Sequence, residues 1–139
     1  MSEKQKTVVI FNAPPNVGKD VSANYMHSYF RTGQCIAFKD ALYEDTAKYF
    51  NVSIKDLTEY HADRSLKEKP SLLFAKYQSE SLKQYFFSLL YVIGALINNR
   101  YLMSLGYYSS REALIHVSED VIKPVKGKDY YGKRLVEKI

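Results

Sequence analysis

Gly18, Lys19 and Asp20 are the residues of this sequence whose types and spacing point most clearly to chemistry. A phosphate-binding loop has the pattern G-x-x-x-x-G-K-[S/T] and lies between a strand and a helix. Gly18 and Lys19 fit the pattern, whereas Ala13 stands where the first glycine belongs and Asp20 replaces the hydroxyl residue. Backbone N–H groups at the start of the helix would face an anion, with the Lys19 ammonium beside the β- and γ-phosphates. The stretch therefore predicts a phosphate-binding loop with departures at Ala13 and Asp20.

Asp20 also bears on metal binding. The hydroxyl that normally occupies its position binds Mg²⁺, and a carboxylate can do the same, although its charge repels a triphosphate. Ser22 is poorly placed to replace that hydroxyl, because it lies about 200° further round the helix than residue 20. The alternative interpretation is a simple strand-to-helix turn in which Asp20 stabilises the start of the helix.

Two short apolar runs, at residues 7–11 and 35–39, have the composition of buried strands. A helix is predicted between them, from about residue 19 to 32, with Gly33 as its C-terminal stop. A right-handed crossover through this helix would place the two strands side by side and parallel.

The rest of the chain is predicted to be helical. Ser53 with Asp56, and Ser109 with Glu112, have the spacing of capping residues at helix starts. Pro124 is expected to end the helix that follows Ser109. The predicted helices cover residues 42–50, a short segment after Ser53, 72–103 with either an interruption or close packing at Gly94, and the segment after Ser109.

Several stretches resemble, in the same order along the chain, those of one protein family. Gly-Lys-Asp with a serine close behind is similar to the loop of phage deoxynucleoside monophosphate kinases. Similar stretches follow over nearly the whole chain: FKDALY at 38–43, DRSLKEKP at 63–70, SSREAL at 109–114 and GKDYYGK at 127–133.

This resemblance implies ATP-dependent phosphoryl transfer to a deoxynucleoside monophosphate, with ATP and Mg²⁺ as cofactors. It assigns catalytic roles to Lys19, Arg64 and Arg111, whose positive charges would neutralise the phosphate in the transition state. The residues assigned to nucleotide binding are Ala13, Gly18, Lys19, Asp20, Asp40 and Lys67, with Asp20 also as the metal ligand. Each has a simpler interpretation: Arg64 and Lys67 as solvated loop charges, and Asp40 as a helix cap.

The expected fold is a single α/β domain over residues 1–139, mostly helical and P-loop kinase-like, with a small two-strand parallel sheet. In the kinases the chain continues into further parallel strands, one of which brings an acidic residue toward the metal, whereas this sequence stops at Ile139. We therefore expect weak or absent turnover. The alternative is a non-catalytic phage protein that uses the same scaffold to bind a host target, for which the 13 tyrosines supply adhesive surface.

Composition limits the cellular setting and the partners. A lone cysteine, no apolar leader and no apolar run of the ~20 residues that span a bilayer predict a cytoplasmic protein without a membrane partner. The net charge of +5 is concentrated toward residues 123–138, so nucleic-acid binding is a third and weaker alternative. Residues 85–97 are apolar almost all round, which predicts a homo-oligomer.

Overall fold

The computed structural model describes residues 7–14, 16–31, 33–77 and 81–138. The chain divides into two compact units, Met1–Ala37 and Phe38–Ile139. In the first unit the only regular element among the described residues is helix α1 (Lys19–Phe30). This helix confirms the one predicted from about residue 19, but it ends at Arg31, whose φ of 52° is left-handed, rather than at Gly33.

The second unit is mostly helical, with a single sheet of two antiparallel strands among its described residues. None of the described helices is long and apolar enough to cross a membrane. In chain order the elements are α2 (Phe38–Phe50), α3 (Ile54–Ala62), β1 (Pro70–Ala75), α4 (Leu82–Leu96), α5 (Arg100–Ser104), β2 (Tyr107–Ser109), α6 (Ser110–His116), a π-helical segment (Val117–Ile122), α7 (Lys123–Lys126) and α8 (Tyr130–Lys138).

The core of this unit forms where β1 packs against three helices. Phe74 of β1 and Leu57 of α3 are fully buried, and they meet Ala47 of α2 and Ala113 of α6. The Phe50 ring packs edge-on against Phe74, with ring centroids 5.4 Å apart. Fully burying one such large side chain contributes about 1.5–3 kcal/mol, so this cluster fixes the helices around the strand.

The predicted parallel P-loop kinase sheet is wrong. Residues 7–11 and 35–39 form no strand, and Phe38 instead begins α2. The sheet is antiparallel and pairs β1 with β2, so that Pro70 lies opposite Ser109 and Ala75 opposite Tyr107. An apolar run becomes a strand only where its N–H and C=O groups find a ladder. Residues 7–11 have none and stay exposed, whereas β1 has β2 and buries Phe74.

The long helical region predicted over residues 72–103 is wrong at its start, where the chain forms β1, and it is divided into two helices. That region holds β1, α4 and α5, with Ser81 and Asn99 accepting capping hydrogen bonds at the starts of the two helices. The expected close approach at Gly94 is present, since a Cβ there would lie 2.8 Å from the Asn99 carbonyl oxygen. Nor does Pro124 end a helix; it lies in the first turn of α7, where its missing N–H costs nothing.

Two predicted helix starts are confirmed. The Ser53 hydroxyl accepts a hydrogen bond from the Asp56 N–H at 3.0 Å at the start of α3. Ser109 and Glu112 form a reciprocal capping box at the start of α6. Caps use groups only three residues apart, so local sequence is enough to determine them.

Gly106, which joins α5 to β2, offers a test of this packing. A Cβ at Gly106 would lie 2.2 Å from the Phe87 Cβ, so we expect Gly106→Ala to lower the free energy of unfolding by about 1–3 kcal/mol. Urea denaturation measures the change. The matched control is Gly132→Ala in α8, where a Cβ meets nothing within 4 Å and the lower backbone entropy of alanine favours the helix by roughly 0.5–1 kcal/mol. Equal effects of the two substitutions would contradict the packing described here.

Candidate functional site

The start of α1 is the turn at which the sequence predicts a phosphate-binding loop. Gly18 is left-handed, with a φ of 86°, and no side chain caps the first N–H groups of the helix. The Lys19 ammonium donates to the Ala13 carbonyl at 3.3 Å, and the Ser22 hydroxyl donates to the Gly18 carbonyl at 3.0 Å. Lys19 therefore closes the turn, and the first N–H groups of α1 keep their capacity to bind an acceptor.

Asp20 lies in the first turn of α1, where the helix dipole favours a carboxylate. Within the described ranges, no three His, Cys, Asp or Glu side chains come together as a metal site. Mg²⁺ is commonly held by one or two carboxylates together with substrate phosphates, rather than by protein ligands alone. Asp20 fits such a partial role, in which a nucleotide supplies the remaining oxygens.

The second unit brings four nitrogen-bearing side chains together in what we call the basic cluster: Lys39, His61, Lys67 and Arg111. They come from the start of α2, the end of α3, the turn between α3 and β1, and the start of α6. His61 is partly buried, and burial is the main cause that lowers the pKa of its imidazole. The positive charges of Lys67, Arg111 and Lys39 lower this pKa further, and the negative charge of Glu68 opposes them.

The buried hydroxyl of Ser110 connects two members of the basic cluster, the ring of His61 and the backbone of Lys67. Ser110 is fully buried, and its Oγ lies 3.1 Å from Nδ1 of His61 and donates to the Lys67 carbonyl at 3.2 Å. The backbone N–H of Arg111 donates to the same carbonyl oxygen at 3.4 Å. The Ser110 hydroxyl has a single proton, which it donates to the Lys67 carbonyl oxygen. Its oxygen can then only accept from the ring, so Nδ1 of neutral His61 is the donor to Ser110. This tautomer leaves Nε2 as the acceptor.

The turn that carries Lys67 is shaped by its own sequence. The Asp63 carboxylate accepts hydrogen bonds from the Ser65 N–H at 2.8 Å and from the Ser65 hydroxyl at 2.6 Å. These bonds lower the pKa of Asp63, so the carboxylate stays charged and keeps holding the turn. The Lys67 N–H also donates to the Asp63 carbonyl, at 2.9 Å. The hydrogen bonds between Asp63 and Ser65 therefore fix the backbone of this turn and, with it, the position of the Lys67 backbone.

The predicted residues of this unit differ in their surroundings. Arg111 is paired with Glu68 through a 2.6 Å contact, and both side chains are about half exposed. Arg64 is exposed and forms no hydrogen bond or ion pair within the described part of the chain. Asp40 helps burial to raise the pKa of Tyr43, whose ring meets that of His61 with centroids 5.8 Å apart. The structure thus brings Lys67 and Arg111 together near His61 and places Asp40 near Tyr43.

Three sequence stretches that are far apart in the chain, 38–43, 63–70 and 109–114, therefore meet around His61. Sequence reasoning missed His61, Lys39 and Ser110, because the three histidines have no motif spacing. Lys39 and Ser110 do lie inside these stretches, so the resemblance of the stretches was the signal that could have identified these two residues. The other predicted residues, Ala13, Gly18, Lys19 and Asp20, belong to the first unit.

The fourth stretch, residues 127–133, lines a separate open cavity of ≈ 860 Å³ together with Phe38, Ser118 and Lys123. Its positive charge is largely matched by acidic neighbours: Lys123 pairs with Glu119, and Lys133 pairs with Asp129 at 2.7 Å. Such matched charges give little attraction for a polyanion. This surface supports nucleic-acid binding less well than the sequence suggested.

No protein-family model matches the chain, and neither a curated protein nor a solved structure shows a significant match to it.

His61 provides the first test of the basic cluster. The folded state disfavours the imidazolium, whereas the unfolded chain keeps an ordinary histidine pKa of about 6.5. Below that pH the unfolded state binds a proton that the folded state does not, so His61 makes the protein less stable as the pH falls through about 6.5. We expect NMR titration to give a His61 pKa below 6.5 and Lys67→Gln to raise it.

The control for this titration is Lys55→Gln, an exposed lysine in the first turn of α3 that does not affect the pKa of His61. It should leave the titration unchanged. A His61 pKa that is insensitive to Lys67→Gln, or one above the ordinary value, would mean that the cations do not surround the ring.

Proposed function

We propose that this protein binds nucleotide phosphates, with a deoxynucleoside monophosphate at the basic cluster and the phosphates of ATP at the start of α1. The observation that carries the proposal is the convergence of Lys39, Lys67 and Arg111 around His61. The three stretches that contribute them are those whose sequences resemble deoxynucleoside monophosphate kinases. The reaction that this resemblance implies for the two ligands is ATP-dependent phosphoryl transfer, with weak turnover.

The charge balance of the cluster suits a phosphate monoester. None of the ion pairs between described residues includes Lys39, Lys67 or Arg64. Lys39 and Lys67 thus have no carboxylate partner among these ion pairs, whereas Arg111 is paired with Glu68. Cations held close together repel one another, and a dianionic phosphate relieves that repulsion. Lysine and arginine donate charge-assisted hydrogen bonds to phosphate oxygens, which are roughly twice as strong as neutral ones.

His61 adds a proton-sensitive contact to this site. A bound phosphate brings negative charge close to the ring, and this raises the pKa of the imidazole. With Nδ1 donating to Ser110, the second nitrogen, Nε2, is the one that takes up the proton and then donates to the ligand. Monophosphate binding is therefore expected to be coupled to proton uptake by His61.

On the triphosphate side, Lys19 and the uncapped N–H groups of α1 supply positive charge, and the left-handed Gly18 lets the backbone approach the phosphates. A bound Mg²⁺ neutralises phosphate charge, and Asp20 is the residue of this turn that would hold it. The Asp20 carboxylate also repels the anion that Lys19 attracts. We attribute the low expected turnover to this opposition and to the Glu68 partner that holds Arg111.

Binding is tested first with the monophosphate alone. Isothermal titration calorimetry with each of the four deoxynucleoside monophosphates should show saturable binding, accompanied by proton uptake at pH 7. We expect Lys67→Gln and Arg111→Gln each to weaken binding about tenfold or more, because each removes a charge-assisted hydrogen bond of about 1.5–3 kcal/mol. Lys55→Gln, which removes an equal charge from α3, should bind as the wild type does. No binding of any monophosphate at millimolar concentration would contradict the monophosphate site.

The triphosphate site is tested with ATP and Mg²⁺. A ligand at a hundredfold excess over its Kd stabilises the folded state by about 2.7 kcal/mol, which should raise the melting temperature by several degrees. Lys19→Ala should abolish this shift and leave the melting temperature of the free protein almost unchanged, because Lys19 is exposed. A shift that survives Lys19→Ala would place the triphosphate elsewhere. ADP formation with both nucleotides present then measures turnover, and binding with no turnover would mean that the protein has kept the sites without the catalysis.

A further inference from the structure

Helix α4 has two different faces. One side packs inward and includes Gln84, Tyr91 and Gly94, which are buried or partly buried. The opposite side, which we call the α4 face, is apolar and has each of its side chains more than half exposed. The face consists of Leu82, Tyr85, Phe86, Leu89, Val92 and Leu96, with exposed fractions of 87%, 65%, 58%, 59%, 51% and 81%.

The spacing of these side chains is that of a helix–helix seam. Residues 82, 85, 89, 92 and 96 follow one another at alternating steps of three and four. This pattern keeps the apolar positions on one line along the helix and lets them insert between the side chains of a facing helix. The 15 residues of α4 span about 22 Å, which is long enough for two heptads of such packing.

The α4 face carries no charge. Lys83 is the only charged residue in α4, and it lies outside the seam positions at the first turn. Two identical copies of a surface with like charges would repel each other, whereas two copies of this one do not. A membrane-surface helix, by contrast, combines its apolar face with a face rich in lysine and arginine. The opposite face of α4 has no lysine or arginine and is packed against protein, so a lipid surface does not suit it.

The area available is that of a stable dimer. An aromatic side chain offers 150–250 Å² when fully accessible and leucine or valine somewhat less, so the six fractions above amount to on the order of 700 Å². A typical specific interface buries about 800 Å² on each partner. A single exposed apolar patch on a monomer seldom exceeds 300–600 Å², so this surface is larger than a monomer normally leaves uncovered.

We propose that the α4 face is the interface of a homodimer, in which α4 packs against α4 of a second copy of this chain around a two-fold axis. Leu89 lies midway between Leu82 and Leu96. Both a parallel and an antiparallel pairing centred on the face therefore place Leu89 opposite Leu89 of the second copy. This assembly is independent of nucleotide binding, since the α4 face contains none of the residues assigned to phosphate.

The test uses the full chain and measures its mass by sedimentation equilibrium at micromolar concentration. We expect the wild type to be a dimer and Leu89→Glu to be a monomer, because the substitution buries two facing carboxylates in the seam. Since Leu89 is more than half exposed, Leu89→Glu should keep the wild-type circular dichroism. The matched control is Ile115→Glu, an equally drastic change at a 54%-exposed apolar residue of α6, which should remain a dimer.

Disulfide cross-linking supplies a second readout that does not depend on the stability of the Leu89→Glu variant. In a Cys35→Ser background, which removes the one native and exposed thiol, Leu89→Cys should form a covalent dimer on mild oxidation. Leu96→Cys in the same background should cross-link only if the helices are parallel. A monomeric wild type would overturn the proposal, and would mean that other residues of the protein or a different partner cover α4. A dimer that persists in Leu89→Glu, without Leu89→Cys cross-linking, would overturn it as well.

Discussion

The second unit depends on the antiparallel pairing of β1 with β2. This ladder places Pro70 opposite Ser109, so the chain entering β1 and the chain leaving β2 lie side by side. The turn that ends in Lys67 therefore meets the start of α6, where Ser110 and Arg111 bond to its backbone. Antiparallel strands have this property in general, since the start of one strand lies beside the end of the other. Here the pairing of β1 with β2 brings two stretches that are more than 40 residues apart in the sequence into a single cluster.

The packing that stabilises the ladder also sets the electrostatics of the cluster. Phe74 fills the core beneath β1, and α2 and α3 close around it. Their packing removes water from His61, which lowers the pKa of the ring before any neighbouring charge acts on it. The charges of Lys67, Arg111 and Lys39 then lower this pKa further. A site of this kind gains stability when an anion binds, and this is why we connect it with phosphate.

Helix α4 has one side that packs within the second unit and an opposite side that is exposed. Its inner side approaches α5 so closely that only glycine fits at position 94, and the hydroxyl of Ser88 lies 2.6 Å from that of Tyr107 in β2. These contacts occupy the inner side of α4. The apolar residues of the opposite side have no described partner within the second unit. Apolar surface of this extent lowers the free energy of association by roughly 25 cal/mol for each Å² removed from water, before the entropic cost of binding. The proposed assembly through α4 uses this apolar surface and none of the residues of the basic cluster.

The sequence by itself determined the local features of this protein. The caps at Ser53 and Ser109, the start of α1 at Gly18–Lys19 and the close approach at Gly94 all follow from contacts between residues near one another in the chain. The strands were different, because an apolar run such as 7–11 resembles a strand as closely as residues 70–75 do. Only the tertiary structure decided between them, by giving β1 a ladder partner and a core. It also decided which charges meet: His61 joins Lys67 and Arg111 because β1 pairs with β2, and no spacing in the sequence encodes that pairing.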